Sequence, residues 1–234
     1  MKKIMTTIMC AFASWHIASA EEKTLSTSLT AAYNSKYMLY GYDNGDDLFH
    51  GDVYLFYPLS DTWSVWGGSW YGQIEDGTYE EVDVYAGADY AFTEHCSAGI
   101  GYSMFNYIET PFATNDIAHE FAVHATYARD TYSLSIRNQY DTEAEGSLTR
   151  IIAGNTEPLT DALSLAVSIE AGYAFEYYLD ANIWNHALAE ISLPFQLSPA
   201  INLSPSVGYS IPLAAMDDYT DEETFVTFSA SYTF

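Results

Sequence analysis

Apolar and polar residues alternate with period two through nearly the whole of this chain, and the connectors between the alternating stretches are by turns short and long. A β-strand points successive side chains to opposite faces. In "EEVDVYAGADYAF", Val82, Val84, Ala86, Ala88 and Tyr90 therefore share one face, and Glu81, Asp83, Tyr85, Gly87 and Asp89 the other. "ALSLAVSIEAGYAF" sets Leu163, Leu165, Val167, Ile169, Ala171 and Tyr173 against Ser164, Ala166, Ser168, Glu170 and Gly172. In "TYSLSIRNQY" the polar face carries Arg137 and Gln139, and Asn138 is out of place on the apolar face. The closing "FVTFSASYTF" puts Val226, Phe228, Ala230, Tyr232 and Phe234 opposite Thr227, Ser229, Ser231 and Thr233. A soluble antiparallel sheet also alternates. It does not need a hydroxyl-rich second face on nearly every strand together with loop length confined to one side.

Tight turns are expected at "LSDT" from 59, "FTEH" from 92, "ARDT" from 128, "PLTD" from 158 and "LSPA" from 197. Between them lie longer, mostly acidic connectors: "GYDNGDD", "QIEDGTYEE", "ETPFATND", "DTEAEG", "FEYYLDANIW" and "MDDYTDEE". Five short and six long connectors make twelve strands. An even strand number, strands of about ten residues, aromatics near strand ends, short turns inside and longer loops outside are the marks of a bacterial transmembrane barrel. The expected fold is all-β, an up-and-down antiparallel transmembrane β-barrel of about 12 strands. With its N-terminus inside, the twelfth strand runs inward and ends on Phe234. Phe228, Tyr232 and Phe234 then form an aromatic C-terminal signal of the kind read by the barrel-insertion machinery.

The first residues fit secretion to such a site. Lys2 and Lys3 precede an apolar stretch from Ile4 that ends in Ala18, Ser19 and Ala20, the pattern of a cleaved signal peptide spanning 1–20. Its apolar part is shorter than the ~20 residues of a membrane-spanning helix. Residues 21–234 then form a single barrel domain with Cys96 as its one cysteine, which excludes an intramolecular disulfide. Five basic residues face 32 acidic ones after cleavage, a net charge of −27. Nucleic acid is excluded as a partner, because the phosphate term that dominates such binding is repulsive here. The partners expected are outer-membrane lipid, the insertion machinery, and small solutes or cations, in the outer membrane of a Gram-negative type of bacterium.

The stretch "LTAAYNSKYMLYGYDNGDD", with "GDVYLFYPLSDTWSVWGGSWYG" and "EEVDVYAGADYAF" after it, resembles the TorF-type porin family over roughly residues 25 to 110. Ser35, Tyr37 and Gly41 match the family's opening motif, Tyr40 stands where it has arginine, and Glu81, Asp83, Tyr85 and Gly87 match a later one. The resemblance implies a barrel with a channel role and no established enzymatic activity.

By the parity of the strands, Asp52, Glu81, Asp83, Asp89, Glu120, Glu170 and Glu190 point into the lumen with Arg137 and Arg150, and rings of charge select ions by sign. In a ring of twelve, Asp52 on the second strand faces Arg150 on the eighth. A lumen of twelve strands is intermediate between filled and open barrels, so an open pore and a lumen plugged by paired charges both fit. Loop acids, among them Asp43, Asp46, Asp47, Asp217, Asp218 and Asp221, offer oxygen ligands for Ca²⁺ or Mg²⁺, or simply make a solvated rim. No serine stands in a nucleophile motif, so no catalytic residue is assigned. The reading is a passive diffusion channel for cations or small polar solutes with no cofactor. The alternatives are a surface-facing barrel hydrolase using His50, His119, His124 or His186, and a closed structural or adhesive barrel with cation-binding loops.

Overall fold

The computed structural model describes residues 24–109, 116–178, 181–214 and 220–234. The signal peptide at 1–20 lies outside them. The described chain is all strand in its regular elements: β1 (Ser26–Leu39), β2 (Tyr42–Pro58), β3 (Trp63–Ile74), β4 (Glu80–Ala91), β5 (Cys96–Glu109), β6 (Ile117–Arg129) and β7 (Tyr132–Asp141). There follow β8 (Gly146–Pro158), β9 (Ser164–Phe175), β10 (Asn182–Ser192), the two-residue β11 (Phe195–Gln196), β12 (Ile201–Pro212) and β13 (Glu223–Thr233). Each strand pairs antiparallel with its neighbour, β10 pairs with β12, and β13 returns to β1. The sheet is thereby a closed ring of twelve strands, with β11 an added ribbon on β12. Pro194 explains that addition, since proline has no N–H to continue the ladder from β10.

Closure is register-specific. β1 meets β13 from Ser28↔Thr233 to Asn34↔Thr227, and Thr27 and Phe234 exchange backbone hydrogen bonds of 3.2 and 3.0 Å. A ring has no edge, so every strand's backbone groups find partners without water, the condition for strands in lipid. The outward faces are apolar: Val84, Ile100, Val123, Ile136 and Ile169 are all exposed, as are Phe228 and Tyr232 on β13 and Phe234 just after it. The inward faces bury Glu81, Asp89, Glu120, Gln139, Arg150 and a series of serines. This is a soluble protein turned inside out. Asn138, the misfit on the outward face of β7, donates from Nδ2 to Thr149 Oγ1 on β8 at 2.8 Å, so its amide is partnered.

One expected connector is corrected. "GYDNGDD" is not a loop: the chain turns at Tyr40 and Gly41, and Tyr42 to Asp47 belong to β2. Both turn residues have positive φ, 53° and 88°, the two-residue geometry that matches the twist of a hairpin. The acids that read as solvated are cross-strand partners instead. Lys36 on β1 pairs with Asp43 and Asp46 on β2, each at 2.9 Å, and with Glu223 on β13 at 3.3 Å. Among the described residues, tight turns and long connectors alternate along the chain, so the tight turns fall at one end of the strands, as expected.

Candidate translocation path

The lumen has three unlike walls. Across β12, β13 and β1 it is small and hydroxylated, with Ser204, Ser210, Ser229 and Thr30 buried. Across β2 to β5 it is aromatic and acidic, and these strands contain no Lys or Arg. Across β6 to β10 it carries Arg137 and Arg150 among carboxylates and imidazoles.

On that last wall Glu120 is the hub. Its carboxylate accepts from Arg137 Nη2 and Gln139 Nε2, both at 2.7 Å, and it is almost wholly buried. Arg150 lies 3.5 Å from Glu170 Oε1, and the same oxygen is 2.9 Å from His186 Nε2. His186 is fully buried because Gly172 and Gly41 leave room for it: a Cβ at Gly172 would stand 2.5 Å from its Cε1, and one at Gly41 2.6 Å from its Cβ.

Gly41 belongs to the β1–β2 turn, which lies across the ring from β7 and β8. The tip of the first hairpin therefore crosses the lumen. Tyr40 donates its phenol to Glu120 Oε2 at 3.0 Å, stacks under the Arg150 guanidinium at 4.7 Å and meets Tyr177 edge-on with ring centroids 6.2 Å apart. Burial, with the Glu120 carboxylate beside it, holds the Tyr40 phenol above its ordinary pKa, so it acts as a neutral donor. Two apolar clusters flank the crossing. One is Tyr37, Leu48, Ile74 and Tyr79; the other is Ala144, Leu148, Ala174 and Tyr177. The half of the barrel near the long loops is narrowed by these groups.

The acids and arginines expected in the lumen fall on inward faces. Asp52 accepts from the Tyr85 hydroxyl at 2.6 Å, and its expected counterpart Arg150 is met by Tyr40 and Glu170 instead. Glu81 takes the hydroxyls of Tyr37, at 3.1 Å, and Tyr79. Asp83 follows two residues on, opposite Trp70 and Phe105. Asp89 is 2.7 Å from His124 Nε2, and Glu190 is paired in register with Ser168 and Gly208. Tyr40 at the hairpin tip was not legible as a site residue, because its partner Glu120 lies on the distant β6.

Among the described residues no group of three or more His, Cys, Asp or Glu is arranged to hold a metal ion. Lys36 neutralises Asp43 and Asp46, Tyr33 donates to Asp47, and Asp221 is exposed, while Asp217 and Asp218 lie outside the described residues. The imidazoles have their own partners: His50 accepts from Trp70 Nε1 at 3.0 Å and His119 is 2.8 Å from the Tyr102 hydroxyl. His124 and His186 are held by Asp89 and Glu170, so none of the four is bonded to a serine hydroxyl.

No family model matches the sequence, and no curated protein matches it. Solved structures do match the fold. The KdgM porin, in a complex with disordered oligogalacturonate, superposes with a TM-score of 0.58 at 10% identity, over 89% of this chain and 99% of the porin. The NanC porin gives 0.56 at 13% identity, over 88% and 98%. An outer-membrane channel from Pseudomonas putida F1 gives 0.53 at 9% identity, over 92% and 97%. At these identities the likeness is one of architecture, and the chain has the closed antiparallel barrel of outer-membrane porins and channels.

Proposed function

We propose that this protein is a passive diffusion channel of the outer membrane that favours cations or small polar solutes. The observation that carries this reading is the inversion of polarity in a closed ring: apolar side chains face out along the long strands, and the inward faces carry the charged and hydroxylated residues together with aromatic ones. The porin architecture and the resemblance of residues 25–110 to the TorF-type family support it. The rim with the tight turns and both chain ends is periplasmic, and the long loops are outside. Acidic residues outnumber basic ones throughout, which favours cations at the mouths and in the lumen. The chemistry is selection, with no bond made or broken.

The crossing hairpin favours a second state of the same molecule, in which the tip stays docked and the barrel is closed. Single-channel recording of the refolded mature protein in a planar bilayer tests both. Discrete openings, with a reversal potential under a salt gradient that reports cation selectivity, support the channel. A silent barrel that is folded by heat-modifiable gel mobility, and that stays silent when the hairpin contacts are removed, refutes it.

A further inference from the structure

The aromatic wall of β2 to β5 has a local geometry that the channel reading does not use. Inward-facing aromatic residues here stand next to inward-facing glycines on the adjoining strands. Trp66 pairs in register with Gly87 on β4, which pairs with Gly101 on β5. A Cβ at Gly87 would lie 2.2 Å from Trp66 Cζ2, and one at Gly101 3.2 Å from Trp66 Cη2. The indole thus reaches over two strands, leaving no room for a side chain at Gly87 and only a tight fit for one at Gly101. Tyr85 does the same over Gly68, where a Cβ would stand 2.4 Å from its hydroxyl. A ring laid against the wall turns its other face to the lumen. Trp66 and Tyr85 are neighbours at 6.2 Å between centroids and 48° between planes, and Tyr54 stands on the other side of Gly68.

Carboxylates bracket these faces. Asp52 accepts from the Tyr85 hydroxyl, and Asp89, opposite Ser64, lies two pairing rows from Trp66 on the same face, against His124. No Lys or Arg occurs on the four strands. Ring faces carry the negative side of the aromatic quadrupole, and desolvated cations over tryptophan or tyrosine are held by it. Carboxylates alone would suit a small hydrated metal ion, whereas tilted ring faces with carboxylates at the edge suit a cation that carries apolar surface.

We propose that Trp66, Tyr85 and Tyr54, with Asp52 and Asp89, form a binding site for an organic cation of the alkylammonium class in the turn-side half of the lumen. The site rests on the cation-preferring reading of the lumen, and binding can be measured without conduction. The test is calorimetric titration of the refolded mature protein in detergent with choline chloride, and with 3,3-dimethylbutan-1-ol as the neutral isostere. Saturable choline binding is expected, with the isostere at least tenfold weaker. Trp66→Leu should weaken choline about tenfold, Trp66→Phe by less, and Asp52→Asn severalfold. Trp66→Phe keeps a ring over Gly87 and covers the case in which the leucine variant does not fold. The proposal is overturned if the folded barrel binds no choline, if choline and its isostere bind alike, or if the Trp66 and Asp52 variants bind as the parent does. A barrel that conducts K⁺ yet ignores choline refutes the site and leaves the channel standing; one that binds choline but never conducts does the reverse.

Discussion

Removing the Tyr40 side chain should release the hairpin tip from the far wall. Three contacts are lost at once in Tyr40→Ala: the phenol-to-Glu120 hydrogen bond, the stack on Arg150 and the edge contact with Tyr177. A hydrogen bond to a charged group contributes about 1.5–3 kcal/mol, a cation–π pair about 0.5–2, and an aromatic pair about 0.5–1.5. At the lower end of each range the loss is about 2.5 kcal/mol, close to two decades in the docking equilibrium at 1.4 kcal/mol per decade. Glu120 keeps Arg137 and Gln139, so the change does not strand a buried charge. In single-channel records the closed or low-conductance occupancy, relative to the open, should fall by about 50-fold or more. Tyr40→Phe, which loses only the hydroxyl, should move it about tenfold. Gly41→Ala offers an independent route, because its φ of 88° disfavours a side chain and the new Cβ would meet His186 at 2.6 Å. If both Tyr40→Ala and Gly41→Ala fold and record like the parent, the tip does not set the conductance and the reasoning fails.

Further outcomes follow from the same geometry. Glu120→Ala breaks a nearly buried cluster and leaves Arg137 uncompensated; it should cost about 3–5 kcal/mol, read as a lower unfolding midpoint in urea. Val84→Arg on the lipid face of β4 should cost about 2–4 kcal/mol in lipid vesicles, while Ser206→Arg on the inward face of β12 should cost less and shift the reversal potential toward anions. Loss of Phe234 should slow assembly in cells, because its backbone closes the ring with Thr27 and its side chain ends the aromatic series expected to serve as a C-terminal signal; a folded fraction equal to the parent's would refute that role. Mass spectrometry of the secreted protein should find the mature chain starting at Glu21.

The wall of this barrel could be read from the chain because period two acts residue by residue. Glu81, Asp83 and Asp89 had to share a face whatever else happened, and the alternation of connectors then counted the strands. What happens inside the wall obeys no such local rule. "GYDNGDD" has the composition of a solvated loop, and only the pairing of Lys36 with Asp43 and Asp46 turns its acids into part of a strand. Tyr40 and Glu120 are eighty positions apart and meet only because the ring brings the first hairpin opposite the sixth to tenth strands. Asp52 and Arg150 stand on opposed strands of the ring, but a partner nearer at hand, Tyr85 for one and Tyr40 with Glu170 for the other, takes each. Glycine carries the least local signal of all. Gly87 reads as a gap in the polar face of its strand, and its use, with that of Gly101, appears only when Trp66 lies across them.

The division of the lumen into three walls explains how so acidic a chain holds arginines at its centre. Both inward arginines sit on adjoining strands, β7 and β8, in register with one another. Their mutual repulsion is offset locally by Glu120 and Glu170 and by the Tyr40 ring that the hairpin brings over Arg150. The hairpin tip thus belongs electrostatically to the basic wall and leaves the carboxylates of β2 to β5 to the lumen. A cation passing the wall of β2 to β5 would meet Asp52 and the rings of Trp66 and Tyr85, while Arg137, in register with His124 beside Asp89, is held by Glu120, and Arg150 by Glu170 and Tyr40. Undocking the tip would uncover the Arg150 guanidinium to the lumen as it widens the path. Cation preference should therefore fall as conductance rises in Tyr40→Ala, and a reversal potential unchanged between the small and large conductance states would show that the basic wall does not face the path.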